Sequence, residues 1–534
     1  MFLLSHGGKE IMQSAGGSVN DRWIWIWALA WLGLTSGAAN ARNARLVIII
    51  SIDGLHQADL SDPALAGQLA NLLSLRKEGL SFAHATGPTP ADSFPGTLAY
   101  LTGATPATTG IYYDDMYFRD LLPGPGNPSN PGSGAQVRNT EAIDRDFDRL
   151  DGGGDFGISS INPEKLPLDP VSHQPVYPHQ MLKVNTIFEV AHEAGLRTSL
   201  LEKHPAYEIA AGPSGKGIDD PYCPEINAPT GIVNGKLLDG TAAPAGTLLT
   251  RTLKSPGNSL LYDDLKSSAL IREIHGRDAR GTAHPGPPAL VAINFQAVNV
   301  AEKILAGGIK LENGSEVPSQ ALLDALHHTD LAIANLIQEL KQAGLWQNTL
   351  LVITSKHGQS PRVGSVHVVG SHWIRQSLES ADITIAGLTQ DQTALIWLVN
   401  PAQSGKAAEA LLSLQKSQKN PGIEKILWGD GLREAHLAGE KDRTPDLIVQ
   451  LKPNVLLLDV LSKRAEHGAF CEDDLHVPLI LAGGALDPKS QGVAIDRPVQ
   501  TMQIGVTVLR ALGLNPGKLQ GAKIENTQPL PAAP

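Results

Sequence analysis

Residues 46–54 read Leu-Val-Ile-Ile-Ile-Ser-Ile-Asp-Gly, a continuous apolar, β-branched run that leads straight into Asp53 and Gly54. A strand with one wet face alternates apolar and polar residues. One that is apolar throughout is covered on both faces, as in a parallel sheet between layers of helices. Asp53 then falls at the strand's carboxyl end, the edge at which open α/β sheets bind ligands. The stretch therefore predicts a fold class and the place of a polar site together.

Working outward, residues 64–77 set Leu65, Leu69, Leu72 and Leu73 at helical spacing, with Gly79 as the stop. Strand patterns recur at Ala289–Phe295 and Thr349–Ser355, and again at Ala394–Val399, Pro445–Leu451 and Val477–Ala482. Helices are expected at Ala321–Ala343 and Thr501–Leu512. This alternation predicts an α/β fold with a doubly wound, mostly parallel sheet. Between the halves, residues 122–175 are rich in Pro-Gly, Asn-Pro and Gly-Gly without hydrophobic period, and a helix–strand pair follows at 183–202. The expected organisation is a core of residues 42–119 and 286–514, a loop-rich inserted cap at 120–285, and a loose tail at 515–534.

The chain of 534 residues carries 43 basic and 54 acidic side chains, a formal net charge of −11. Without a basic tract it is a poor nucleic-acid scaffold, because phosphate neutralisation needs clustered Lys and Arg. A small substrate gripped at a single phosphate fits better. Arg22, the apolar run Trp23–Leu34 and Ala39-Asn40-Ala41 read as a signal peptide over residues 1–41. The run is short for a membrane span, so a periplasmic or secreted chain without a stable span is expected; an interfacial anchor, suggested by four of the eight Trp residues, is the alternative. Cys223 and Cys471 fit no zinc-binding cysteine spacing and leave open both a disulfide and two isolated thiols.

Polar clusters follow the strand signals or turns: Ser51-Ile-Asp53-Gly, Asp92-Ser93-Phe-Pro-Gly, Thr354-Ser-Lys356-His357-Gly and Glu466-His467-Gly. Ser93 precedes a helix, whose N-terminal N–H groups favour a phosphate held at its hydroxyl. A Ser nucleophile needs deprotonation or metal coordination to attack phosphorus, and Asp53 with His357 are candidate ligands. Asp473, Asp474 and His476 are metal-capable neighbours of His467, with Asp474 and His476 preferred. Lys203, His204 and Tyr207, after the strand in the insertion, are candidate substrate contacts. Each motif alone is more often a turn or cap than a site; their joint placement at strand ends shifts the balance.

The order Ser51-Ile-Asp53-Gly, Thr89-Pro-Ala-Asp-Ser93-Phe-Pro with Leu101-Thr-Gly-Ala-Thr-Pro, Thr354-Ser-Lys-His357-Gly and His467-Gly resembles the type I phosphodiesterase/nucleotide pyrophosphatase branch of the alkaline phosphatase superfamily. Asn348-Thr-Leu-Leu-Val-Ile-Thr354-Ser and the run from Val499 to Leu509 resemble it too. The resemblance implies an alkaline phosphatase-like sheet, and a Ser nucleophile that is transiently phosphorylated between two divalent metals, usually zinc. By position it makes Asp53, Ser93 and His357 one metal site with its nucleophile, and His467 a ligand of the other. The departures are sharp. Lys356 stands where the family has an aspartate. Val298 and Glu302 stand where it supplies an aspartate and a histidine. An ammonium in place of a carboxylate repels a dication at ligand distance, so either the ion count falls or Lys356 points away; one or two divalent ions, zinc by the resemblance, are expected, with Lys356 as a fixed positive charge on the phosphoryl group. The leading expectation is a phosphoester hydrolase acting through a phosphoseryl intermediate. Its alternatives are a silent relative that binds a phosphorylated or sulfated ligand, and a transferase using an alcohol acceptor.

Overall fold

The computed structural model describes residues 43–126, 131–230 and 250–533. The leader expected over residues 1–41 lies outside them. No helix among the described residues is long and apolar enough to cross a membrane.

Two sheets organise the chain. The strands are, in chain order, β1 (Leu46–Ile52), β2 (Leu80–Phe82), β3 (Thr198–Leu201), β4 (Asp220–Tyr222), β5 (Leu290–Phe295) and β6 (Thr349–Thr354). Then follow β7 (Ile385–Gln390), β8 (Thr393–Leu398), β9 (Ile423–Trp428), β10 (Leu447–Leu451), β11 (Leu479–Ala482) and β12 (Val493–Ile495). An 8-stranded sheet runs β12-β2-β11-β6-β1-β5-β3-β4. From β6 through β1, β5 and β3 to β4 every pairing is parallel, and β11 runs against its neighbours. A separate 4-stranded antiparallel sheet runs β7-β8-β10-β9.

The central position of β1 follows from its composition. Val47 and Ile49 join one core and Leu46, Ile48, Ile50 and Ile52 the other, because successive side chains point to opposite faces. The helices α1 (Ala70–Glu78), α2 (Ser93–Thr102), α3 (Ile187–Glu193), α4 (Pro256–Ile274), α5 (Ala297–Lys303), α6 (Gln320–Gln342), α7 (Gln503–Ala511) and α8 (Gln520–Glu525) divide between these faces. Leu98 and Leu101 of α2, Phe188 of α3 and Ile504 of α7 cover the first; Leu72 of α1, Leu270 of α4 and Leu326 of α6 cover the second. Each fully buried Ile of β1 contributes about 1.5–3 kcal/mol relative to exposure.

Three expectations are corrected. Strands β3 and β4, inside the stretch read as an inserted cap, are members of the main sheet. The segment that builds its own sheet and its own core is instead 385–451, where Ile396, Val449 and Leu411 pack together. A local strand pattern carries no record of which sheet it joins. The tail from residue 515 is also folded: Leu519 and Leu530 are buried. The Glu525 carboxylate accepts from both the N–H and the hydroxyl of Thr105 (2.8 Å each), and Thr527 Oγ1 donates to Gly103 O (2.7 Å) at the end of α2. The two cysteines are unpaired, Cys223 buried and Cys471 half-buried.

Replacing Leu519 by Ala is expected to cost about 2–5 kcal/mol, the range for a leucine removed from a packed interior. Urea unfolding of the full chain measures it; a change within error would mean that this segment contributes no packing.

Candidate active site

Because β1, β3, β5 and β6 are parallel, their carboxyl ends share one rim. Asp53 follows β1, Glu202 and Lys203 follow β3, Asn294 and Gln296 flank the end of β5, and Lys356 and His357 follow β6. Ser93 is the first residue of α2, and the helix is capped by Asp92, whose side chain accepts from Phe94 N–H (3.0 Å). Gly96 brings α2 onto this rim. A Cβ there would lie 2.5 Å from Lys356 O and 2.7 Å from Lys356 Cβ, so only glycine permits the approach.

Ser93 Oγ meets two groups at 2.9 Å, His357 Nε2 and Lys203 Nζ. The other ring nitrogen of His357, Nδ1, lies 2.8 Å from Gly358 O. A carbonyl only accepts, so Nδ1 carries the proton, Nε2 is the acceptor, and the Ser93 hydroxyl donates to it. Lys203 donates to the same oxygen from the other side. Burial, joined by the nearby Lys203 charge, pushes His357 down to about 3, so its ring is neutral at ordinary pH.

Asp53 is wholly buried and crowded with donors. Its Oδ1 accepts from Asn294 Nδ2 (2.8 Å) and Ser51 Oγ (3.2 Å). Its Oδ2 accepts from Gln296 Nε2 (2.6 Å) and Lys203 Nζ (3.2 Å), with Lys356 Nζ at 3.6 Å. Burial alone would raise this carboxyl; the charges of Lys356 and Lys203, with the Gln296 hydrogen bond, outweigh it and hold it well below the carboxylate range. Lys356 itself is sealed off. It donates to Glu202 Oε2 (2.9 Å) and Tyr207 OH (3.3 Å) and lies over the Tyr207 ring at 4.4 Å from its centroid.

The opposite wall is acidic. The ring of His467 lies 3.9 Å, centroid to centroid, from that of His357. Its Nδ1 is 3.8 Å from Asp92 Oδ2, and neither atom has a hydrogen-bond partner. Glu466 is paired with Lys303 and Lys463. Asp391, from the turn between β7 and β8, accepts from Tyr113 OH (3.1 Å). Burial raises Asp92 to about 6 and lifts Asp114 and Asp391 as well. A cleft of about 240 Å³ opens between the walls, lined by Ser93, Lys203, His204, Gln296, Asp391 and His467 among others. Roomier hollows exist, such as the one of about 480 Å³ beside Arg197 and Asp220, but no serine, threonine or cysteine lines that one.

Asp53, Ser93, Lys356, His357 and His467 thus converge, and Lys203, His204 and Tyr207 are with them. Asp474 and His476 do not line the cleft, because their polar atoms are satisfied locally. Asp474 Oδ2 accepts from Ala469 N–H (2.7 Å), while His476 bonds Ala83 O and Glu472 (2.7 Å each) and stacks on His84. Glu302 is turned to His56 and Gln359. Sequence reasoning passed over Asn294, Gln296, Asp92 and Asp391. For the first two the signal was present, since polar side chains ending a buried strand have to bond something.

Among the described residues, two groups have the composition to hold an ion, His56–Asp59–Glu302 and Glu141–His204–Glu225. The first is internally satisfied: His56 bonds Asp59 (2.9 Å) and Gln359 O (2.7 Å), and Arg362 donates to Asp59 (2.8 Å).

The family profile described as Type I phosphodiesterase / nucleotide pyrophosphatase matches residues 47–469. Among solved structures, murine ectonucleotide pyrophosphatase/phosphodiesterase 5, in an inactive form complexed with AMP, is 13% identical with a TM-score of 0.53 and covers 88% of this chain and 96% of its own. The human counterpart is 14% identical with a TM-score of 0.53, covering 88% and 95%. A variant of alkaline phosphatase PafA is 13% identical with a TM-score of 0.60, covering 92% and 99%. No match was found among curated protein sequences. At these identities the neighbours establish the alkaline phosphatase-like fold, and the family match establishes more: the chain belongs to the type I phosphodiesterase/nucleotide pyrophosphatase family of phosphoester hydrolases.

Proposed function

We propose that the chain hydrolyses a small phosphoester through a phosphoseryl intermediate on Ser93, with lysine ammonium groups where the family places metal ions. The observation that carries this reading is the pair of 2.9 Å contacts at Ser93 Oγ, a neutral imidazole acceptor on one side and an ammonium donor on the other. The family is normally dependent on divalent zinc, and the donor set here does not fit a zinc pair. Both oxygens of Asp53 are committed to hydrogen bonds, Lys356 replaces an anionic ligand, and Val298 has no ligand atom. No step is assigned to a metal at this position.

In the first half-reaction Ser93 Oγ forms the new P–O bond while the bond to the leaving oxygen breaks. The Ser93 proton passes to His357 Nε2, and Lys203 offsets charge on the attacking oxygen. His357 holds the Ser93 proton, while the leaving oxygen, in line on the opposite face of phosphorus, takes its proton from solvent. Water then attacks from that face and gives its proton to solvent, and His357 returns the held proton to Ser93 Oγ as it leaves, which regenerates Ser93 and releases phosphate or a phosphomonoester. The N-terminus of α2 adds aligned N–H groups for the non-bridging oxygens. Lys356 supports from behind. It keeps Asp53 and Glu202 paired, and the charge that reaches Ser93 is that of Lys203. The AMP held by the murine neighbour supports a nucleoside phosphoester as the substrate class. Export to the periplasm or exterior is our reading of residues 1–41.

Acid-quenched turnover of a nitrophenyl phosphodiester, followed by peptide mass mapping, is expected to show one phosphoryl group, still bearing the ester that was not displaced, on the Ser93 peptide. Ser93→Ala should remove both label and turnover. Ligand binding with no turnover by the native protein would favour the silent relative, and an alkylated phosphate product with added alcohol would reveal a transferase.

Lys203→Met is expected to lower kcat by about 10²–10³ with a smaller change in KM, as when one donor to a developing oxyanion is lost. Lys203→Arg should recover part of it; equal kcat values for the native protein and Lys203→Met would sink the role. Lys356→Met leaves Glu202 and Asp53 short of a counter-charge and is expected to cost about 3–5 kcal/mol in urea unfolding.

A further inference from the structure

Helix α4 carries two charged residues that neither line the cleft nor reach solvent. Asp263 and Lys266 are both wholly buried, and the Lys266 ammonium lies 3.3 Å from Asp263 Oδ1 and 4.4 Å from the centroid of the Tyr262 ring. A buried ion pair is weak evidence of stabilisation, because desolvating two charges offsets much of their attraction. What Asp263 bonds is more informative. Both its oxygens accept from the backbone N–H of Gln296 (2.9 Å each), and Oδ2 accepts from that of Ala297 as well (2.8 Å).

Those N–H groups open α5. Gln296 is the residue before the helix, the position whose own side chain often bends back to accept from the first turn. Here it makes no such bond. Asp263 reaches the start of α5 from another helix, and the Gln296 side chain runs the other way. Its Nε2 donates to Asp53 Oδ2 and Asn294 Oδ1 (2.6 Å each), while its Oε1 accepts from Asn299 Nδ2 (3.1 Å). Asp53 in turn shares the Lys203 ammonium with Ser93. The neighbouring residue of α4 braces the adjoining strand end: Tyr262 OH donates to Pro224 O (2.7 Å), and Ile226 N–H of the same segment donates to Lys203 O (3.0 Å).

We propose that Asp263 is a positioning residue for phosphoryl transfer at Ser93: by holding the backbone at the end of β5 it fixes the Gln296 amide against Asp53, and through Asp53 the place of Lys203. The inference rests on the roles given above to Ser93 and Lys203. Lys266 supplies the counter-charge that water would give an exposed carboxylate. Exchanging the carboxylate for an amide trades one acceptor oxygen for a donor that faces two N–H groups. A buried N–H without an acceptor is costly, so the strand end shifts to find one and carries the Gln296 amide with it.

The test is a kinetic double-mutant cycle of Asp263→Asn and Gln296→Ala in the full chain, with a nitrophenyl phosphodiester as substrate. Asp263→Asn is expected to lower kcat by about 10- to 100-fold, the scale of a small misplacement of reacting groups, with a smaller change in KM. In the Gln296→Ala background the same substitution should do little more, since the group through which it acts is gone. Because Asp263→Asn leaves Lys266 without a counter-charge, the cycle is repeated with Asp263→Asn/Lys266→Met, which removes both charges; the same lack of additivity is expected. Native kcat in Asp263→Asn, or losses that multiply in both cycles, would overturn the proposal while leaving the role of Ser93 intact. A native protein that neither turns over nor acquires a label on Ser93 would overturn the reading of Ser93 and this inference with it.

Discussion

The structure turns on one buried carboxylate. Asp53 sits at the end of the central strand with no access to water, which in a low-dielectric interior would neutralise it or expel it. What keeps it there as an anion is a shell of donors from four strand ends: the amides of Asn294 and Gln296, the Ser51 hydroxyl, and the ammonium groups of Lys203 and Lys356. Each of those side chains is itself fixed by the bond. The parallel register of β1, β3, β5 and β6 and the polar constellation therefore specify each other, because a slip of one residue in any strand would carry its donor to the opposite face.

The same shell accounts for the chemistry. A carboxylate of this kind, in a family that normally works with zinc, would serve as a metal ligand. Here its negative charge is matched by lysines, and Ser93 has one of them as a direct neighbour. The acidic wall formed by Asp92, Asp114, Asp391 and Glu466 balances the cleft, with Lys303 and Lys463 committed to Glu466. The positive charge that faces Ser93 is thereby confined to one side.

Much of this was legible in the sequence for a physical reason. A strand covered on both faces must be apolar throughout, so β1, β5 and β6 declared themselves, and parallel pairing then required the residues after them to share a rim. That requirement alone brings Asp53, Lys356 and His357 together. Contacts across sequence distance were not legible. Lys203 follows a short strand in a Gly- and Pro-rich region, so its partnership with Ser93 depended on β3 pairing with β5, which no local pattern records. Asp474 and His476 misled because composition shows that a residue can ligate, whereas local backbone partners decide whether it is free to do so. The folded tail was hidden likewise, since a few apolar residues among prolines give no period.

That tail has a consequence for how α2 is held. Segment 519–530 closes over the far end of α2, the helix whose first residue is Ser93. Leu519, Ala522 and Leu530 belong to the same core as Leu98 and Leu101 of that helix. Loosening a stretch more than four hundred residues away along the chain would therefore unsettle the helix that carries Ser93.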